Sequence, residues 1–157
     1  MTQYDLKRVK SHLMLKPIRD IRCDIEFNNP EEVVSELNRI FDFEKLPEEY
    51  IYLIATNTRN KPTALFEISH GSIDMAILDT RTVYARLLLV GASKALVFHN
   101  HPSGCPQPSE HDMELYECLN KCGKIMKIPL LDFLIVGDNG SYYSQMETND
   151  YIKREKD

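Results

Sequence analysis

Apolar positions recur along the chain with two different periods. Val33, Leu37, Ile40 and Phe41 fall three or four residues apart behind Asn29-Pro30-Glu31-Glu32. That run reads as an N-cap, a proline at the first helical position and an acidic first turn, so a helix is predicted from Pro30 to about Phe41. Tyr50 to Thr56 is aromatic and β-branched, Asn57 to Pro62 is turn-like, and Thr63 to Ser69 alternates again, which predicts an antiparallel hairpin. Between Thr80 and Ala92 the residues Val83, Tyr84, Leu87, Leu88 and Val90 suit a mostly buried helix, and Lys94 to Phe98 reads as a short central strand. Asn100 to Pro108 holds three prolines and one glycine and reads as a loop. Leu115, Leu119, Cys122 and Met126 then mark one face of a second long helix, which Pro129 ends. Leu130 to Val136 and Tyr142 to Ser144, separated by Gly137-Asp138-Asn139-Gly140, predict a second hairpin. Helices and strands in this order imply an α/β sandwich with a mixed sheet between helices.

Composition narrows the class. A chain of 157 residues, 43% hydrophobic and 27% charged, is the size of one domain and buries a core without disulfides. The longest apolar run, Leu87 to Phe98, is broken by Gly91, Ser93 and Lys94 and is shorter than the roughly 20 residues of a membrane span. The first twenty residues are charged and carry no apolar signal core, so the expected compartment is the cytoplasm. Cys23, Cys105, Cys118 and Cys122 are then expected as free thiols, with Cys118 and Cys122 on one buried helix face rather than paired on a metal.

Charge divides the chain. Up to Arg22 there are six bases against two acids, leaving 13 bases against 22 acids in the rest, so a basic arm (residues 1–28) precedes an acidic body (residues 29–157). The net charge of −5 disfavours a protein that coats nucleic acid generally. The arm reads first as a solvated terminus, and its other use is direct contact with DNA or an acidic partner.

The chemistry concentrates between His99 and Asp112. Two histidines at i and i+2 leaving a strand point to the same face, so both imidazoles reach one ion, and Asp112 is the natural third ligand. Two imidazoles and a carboxylate suit zinc, and three protein ligands leave a fourth position for water, whose pKa such an ion lowers towards about 7. Ser109-Glu110-His111-Asp112 is also a helix-capping sequence, and one first turn can cap a helix while presenting a ligand.

His-x-His, seven residues, then Ser-x-x-Asp resembles the signature of the JAMM (MPN-type) metalloproteases. The flanking His99-Asn100-His101-Pro102-Ser103-Gly104, followed by Pro106-Gln107-Pro108-Ser109, resembles the RadC-like branch, a bacterial family named for DNA repair, over about Asn29 to Glu147. The resemblance implies a cytidine-deaminase-like three-layer α/β sandwich. It implies zinc on His99, His101 and Asp112, an oxyanion contact from Ser109, and an upstream glutamate as general base. Pro47-Glu48-Glu49-Tyr50 resembles the segment that supplies this base, which selects Glu49. Glu48 would face the opposite side of the strand, and Glu67 is the more distant alternative.

The chain departs from the family pattern at three places. Cys105 stands where such loops commonly carry an acidic residue, Asp132-Phe133 replaces an Asp-His pair, and the helix-hairpin-helix region of longer RadC proteins has no counterpart here. His12, His70 and His111 read as surface or loop residues, with His111 near enough in sequence to compete with Asp112. The implied function is zinc-dependent hydrolysis of a peptide or isopeptide bond in a protein or peptide substrate. The alternative is an accessory protein of DNA repair or mobile elements that acts by binding, with zinc structural. A cytidine deaminase shares the implied fold but needs His-x-Glu and Pro-Cys-x-x-Cys signatures that this chain lacks.

Overall fold

A computed structural model describes residues 1–71 and 79–154. Seven strands form one mixed sheet in the order β2-β1-β4-β3-β5-β6-β7, comprising β1 (Thr2–Val9), β2 (His12–Asp20), β3 (Tyr50–Thr56), β4 (Pro62–His70), β5 (Lys94–Asn100), β6 (Leu130–Val136) and β7 (Tyr142–Ser144). The helices are α1 (Pro30–Phe41), α2 (Thr80–Leu89), α3 (Glu110–Met126) and α4 (Gln145–Arg154). The period-two alternation of the strands sorts their side chains into two cores. Ile51, Leu53, Val97, Phe133 and Ile135 meet Val83 and Leu87 of α2 and Leu119 of α3 on one face. Tyr52, Ile54, Leu96, Phe98 and Leu134 meet Val33, Val34 and Leu37 of α1 on the other. The result is the three-layer α/β sandwich that the sequence predicts, with β5 central as expected.

Helix α1 begins as its sequence dictates, since Asn29 Oδ1 accepts the Glu31 N–H at 3.0 Å and Pro30 occupies the first turn. Helix α2 stops at Leu89, short of Ala92, because Val90 caps it and Gly91 turns the chain at φ 66°. Strand β5 continues through His99 and Asn100, where the sequence suggested that the loop begins, because β3 and β6 both pair with His99 and β6 pairs with Asn100. Helix α4 was not foreseen.

Residues 2–20, read above as part of a basic arm, form the antiparallel hairpin β1-β2, whose base closes through hydrogen bonds between Met1 and Ile21. It joins the sheet through the parallel pairs Thr2 with Ala64 and Gln3 with Leu65. No helix among the described residues is long and apolar enough to cross a membrane.

Candidate metal centre

Strand β5 delivers His99 to the same face as Val97 and Ala95, towards α3, and His101 follows two residues later just past the strand end. The chain then turns, with the Gly104 N–H donating to the His101 carbonyl at 2.9 Å, and Gly104 adopts φ 79°. A Cβ there would meet the side chain of Asp138, which is exposed and can move aside, so the left-handed backbone is what favours glycine at this position. After the loop, Ser109 starts α3 with a reciprocal cap. The Ser109 hydroxyl accepts the Asp112 N–H at 3.2 Å while the Asp112 carboxylate accepts the Ser109 N–H at 2.7 Å. The cap therefore aims Asp112 back at the histidines.

His99 Nε2 lies 3.1 Å from Asp112 Oδ1 and 3.2 Å from His101 Nε2, and His101 Nε2 is 3.5 Å from Asp112 Oδ2. Glu49, one residue before β3, shares the face of Ile51 and brings Oε1 to 3.9 Å from His99 Nε2. One ligand atom from each of Glu49, His99, His101 and Asp112 lies within 4.8 Å of the others. Glu48 is exposed, and Glu67 is turned to His70, whose Nδ1 it meets at 2.7 Å, so neither belongs to this group.

The surroundings suit a cation. His101 Nδ1 donates to the Cys105 carbonyl at 2.8 Å, which in the neutral ring leaves the Nε2 lone pair facing the cluster. His99 is fully buried, Asp112 is 7% exposed, and the two imidazole Nε2 atoms face one another and a carboxylate. Burial pushes the Asp112 carboxyl up, but hydrogen bonds with His101, His99 and Ser109 overcome it and hold the group far below the usual carboxylate range. The Asp112 contact raises the His101 pKa against a smaller effect of burial. Two imidazoles and two carboxylates at this spacing could hold a metal ion.

Two features escape sequence reasoning. Asn100, between the two histidines in sequence and 2% exposed, clamps the backbone on either side of Glu49 with its side chain. Its Oδ1 accepts the Tyr50 N–H at 2.8 Å and its Nδ2 donates to the Glu48 carbonyl at 2.9 Å. The loop residue Cys105 supports His101 with its carbonyl, whereas its thiol is not in the cluster. The motif spelled out Asn100 without hinting at this clamp, and no signal marks a backbone carbonyl.

Phe133, which replaces a histidine of the resembled pattern, packs edge-on against His99 with ring centroids 5.5 Å apart. His99 Nδ1 is buried there without a hydrogen-bond partner, so on this side of the ring packing takes the place of a polar contact. His111 is exposed, 4.0 Å from Glu114, and stands outside the cluster although it lines the neighbouring cavity. Cys118 is exposed and only Cys122 packs against the core, so the two do not share a buried face.

The family model for the RadC-like JAB domain matches residues 27–150. A UPF0758 protein of Clostridium acetobutylicum is 35% identical over 124 residues, covering 78% of this chain and 52% of that protein. A UPF0758 protein of Clostridium novyi is 38% identical over 102 residues, covering 65% of this chain and 44% of that protein. The chain spans about half the length of the curated relatives it matches. The matched region takes in every residue of the four-residue cluster, with helix α3 and the strands that carry it, and the chain belongs to the RadC-like JAB domain family.

Proposed function

We propose that this protein is a zinc-dependent hydrolase that cleaves an amide, in a peptide or isopeptide linkage. The observation that carries this reading is the convergence of His99, His101, Asp112 and Glu49 beside a cavity of about 270 Å³. Structural zinc sites are closed by four protein ligands, whereas catalytic ones keep a position open. His99, His101 and Asp112 are the ligands, and Glu49, whose oxygen stands farthest from His99 Nε2, is the carboxylate left for proton work. When bound, zinc acts as a Lewis acid that makes water a nucleophile near neutral pH and polarises a carbonyl.

Glu49 takes the proton of the attacking water and carries it to the leaving amine nitrogen. The Ser109 hydroxyl lines the cavity and in this structure gives its proton to Asp112 Oδ2 at 2.6 Å. A carboxylate engaged by a cation needs that proton less, and Ser109 then turns it to the carbonyl oxygen, a contact worth roughly 3 kcal/mol at comparable sites. Ile51, Pro102 and Leu115 also line the cavity and supply the apolar wall against which a substrate chain is held.

The test uses the zinc-loaded full chain and a set of lysine-branched isopeptides and linear peptides, with cleavage read by mass spectrometry. Wild-type protein is expected to cut at least one class, and Glu49→Gln is expected to keep zinc while losing about a hundredfold or more of the rate. If Glu48→Gln loses the rate instead, the proton carrier is misassigned. An absence of cleavage by fully loaded protein across the set would overturn the hydrolase reading.

A further inference from the structure

The hairpin β1-β2 has no role in the metal site, yet it gathers the chain's positive charge. All six bases between Lys7 and Arg22 are exposed. Arg22 is paired with Asp24, and Arg19 donates to Gln3, but Lys7, Arg8, Lys10 and Lys16 make no ion pair among the described residues. The rest of the chain carries 13 bases against 22 acids, so these four charges are the exception on an acidic molecule.

Their placement is specific. Only Thr2 and Gln3 pair with β4, so from Tyr4 onwards the two strands pair only with each other, as a ribbon about 20 Å long at the edge of the sheet. Tyr4 and Leu15 rest against the core beside α2, which anchors one face of the ribbon near its base. By the cross-strand register, Lys7 and Lys16 lie on the opposite face with Val9 and Met14. Arg8 projects from the anchored side nearer the tip, where it too is exposed, and Lys10 sits in the turn at φ 55°. Charge thus surrounds the free end instead of marking one flat face.

Strand addition by a second copy or another chain is disfavoured at β2. The edge carries Lys16 and Pro17, and an extra residue at Ile18 breaks its register against β1, which are the usual devices that blunt an edge. A flat acidic protein surface would engage one face of the ribbon and leave the opposite charges unused. A DNA groove has phosphates on both walls, and the major groove of B-form DNA admits a two-stranded ribbon.

We propose that the β1-β2 ribbon is a docking element for duplex DNA, in which Lys7, Arg8, Lys10 and Lys16 contact phosphates. Because β1 runs parallel to β4, whose far end lines the metal-site cavity with Ser69, the ribbon directs its turn towards that same end of the sheet. A bound duplex is therefore brought to the end where the cavity opens. Metal chemistry is not needed for this contact, and the two readings fail separately.

The test is fluorescence anisotropy of a labelled 20-base-pair DNA duplex with the full chain at KCl concentrations from about 50 to 200 mM. Four phosphate contacts predict that log K falls against log salt with a slope of roughly −3.6. The quadruple variant Lys7→Gln, Arg8→Gln, Lys10→Gln and Lys16→Gln is expected to lose at least about tenfold in affinity at the low salt and to flatten the slope. Its melting temperature should match wild type, because all four side chains are exposed. Four outcomes overturn the proposal: no duplex binding at the low salt, an unchanged slope in the folded quadruple variant, equal affinity for an RNA duplex, whose deep major groove excludes a ribbon, or displacement of the duplex by polyglutamate at equal charge.

Discussion

Asn100→Ala removes the clamp around Glu49 while leaving every cluster residue in place. The substitution deletes two hydrogen bonds, from Tyr50 N–H at 2.8 Å and to the Glu48 carbonyl at 2.9 Å. Each is worth about 1 kcal/mol net, and a partner left buried and unpaired costs about 1–3 kcal/mol, so the expected destabilisation is about 3 kcal/mol. The local consequence exceeds the global one, because those backbone groups flank the carboxylate that is to move a proton. A displacement of about 1 Å at such a group lowers turnover on the order of a hundredfold. Zinc affinity should fall by less than about tenfold, the lower end of what losing a ligand's own support brings, since neither clamped residue is a zinc ligand in the reading above. Urea denaturation gives the stability change, competitive zinc titration the affinity, and single-turnover cleavage the rate. A loss of stability below about 0.5 kcal/mol would mean that water replaces both bonds, and unimpaired turnover would refute the claim that Asn100 positions Glu49.

His99→Ala and His101→Ala are each expected to abolish stoichiometric zinc while retaining the far-ultraviolet circular dichroism of wild type, and full zinc content in both by elemental analysis would move the metal elsewhere. Asp112→Asn should lower zinc affinity steeply, because a neutral amide is a poorer donor, while costing the helix about 1 kcal/mol or less; Ser109→Ala should weaken the cap and keep the zinc, and titrations beside thermal melts distinguish the two. Burial raises the Asp132 carboxyl to about 6 against the hydrogen bonds it accepts from Ser144 and from the Met146 and Phe133 N–H groups. With the folded pKa above the unfolded one, this group's contribution is fully present below about pH 4 and lost as pH rises to about 6, at most on the order of 3 kcal/mol. Asp132→Asn should flatten that part of the stability profile, and an identical profile in the variant, measured by urea unfolding from pH 4 to pH 7, would show that Asp132 does not set it.

Helices α1 to α3 and the hairpins of the body were legible because their signals are local. Asn29-Pro30 carries its own cap, Ser109 and Asp112 carry theirs, and β3 to β6 alternate between two apolar faces. The β1-β2 hairpin was not, since β2 is exposed along nearly its whole length and contains Pro17, so no buried period marks it. Its pairing rests on cross-strand contacts and on the closure of Met1 with Ile21, twenty residues apart. Helix α4 was equally silent because part of its cap is remote: the Met146 N–H is taken by Asp132, fourteen residues upstream. At the site, Glu49 was picked out by the resemblance of Pro47-Glu48-Glu49-Tyr50 to the family segment, and strand alternation from the start of β3 accounts for Glu48 facing away. The Asn100 clamp and the Cys105 carbonyl depend on how the loop and strands are brought together, which no residue spacing encodes.

The reciprocal cap between Ser109 and Asp112 has a bearing on how such domains are recognised and how they drift. The same carboxylate that faces the histidines also ties down the first turn of α3, so selection for a stable helix start preserves the Ser-x-x-Asp spacing even in a descendant that has ceased to hold metal. His99 and His101 have no such second employment; outside the cluster His99 has packing contacts only, and the one hydrogen bond His101 makes there is to a loop carbonyl. Loss of function would therefore erode the histidines first and leave the Ser-x-x-Asp pattern behind as a relic of helix architecture. A survey that sorts active from retired copies of this domain should score the histidine pair and treat the serine and aspartate as uninformative.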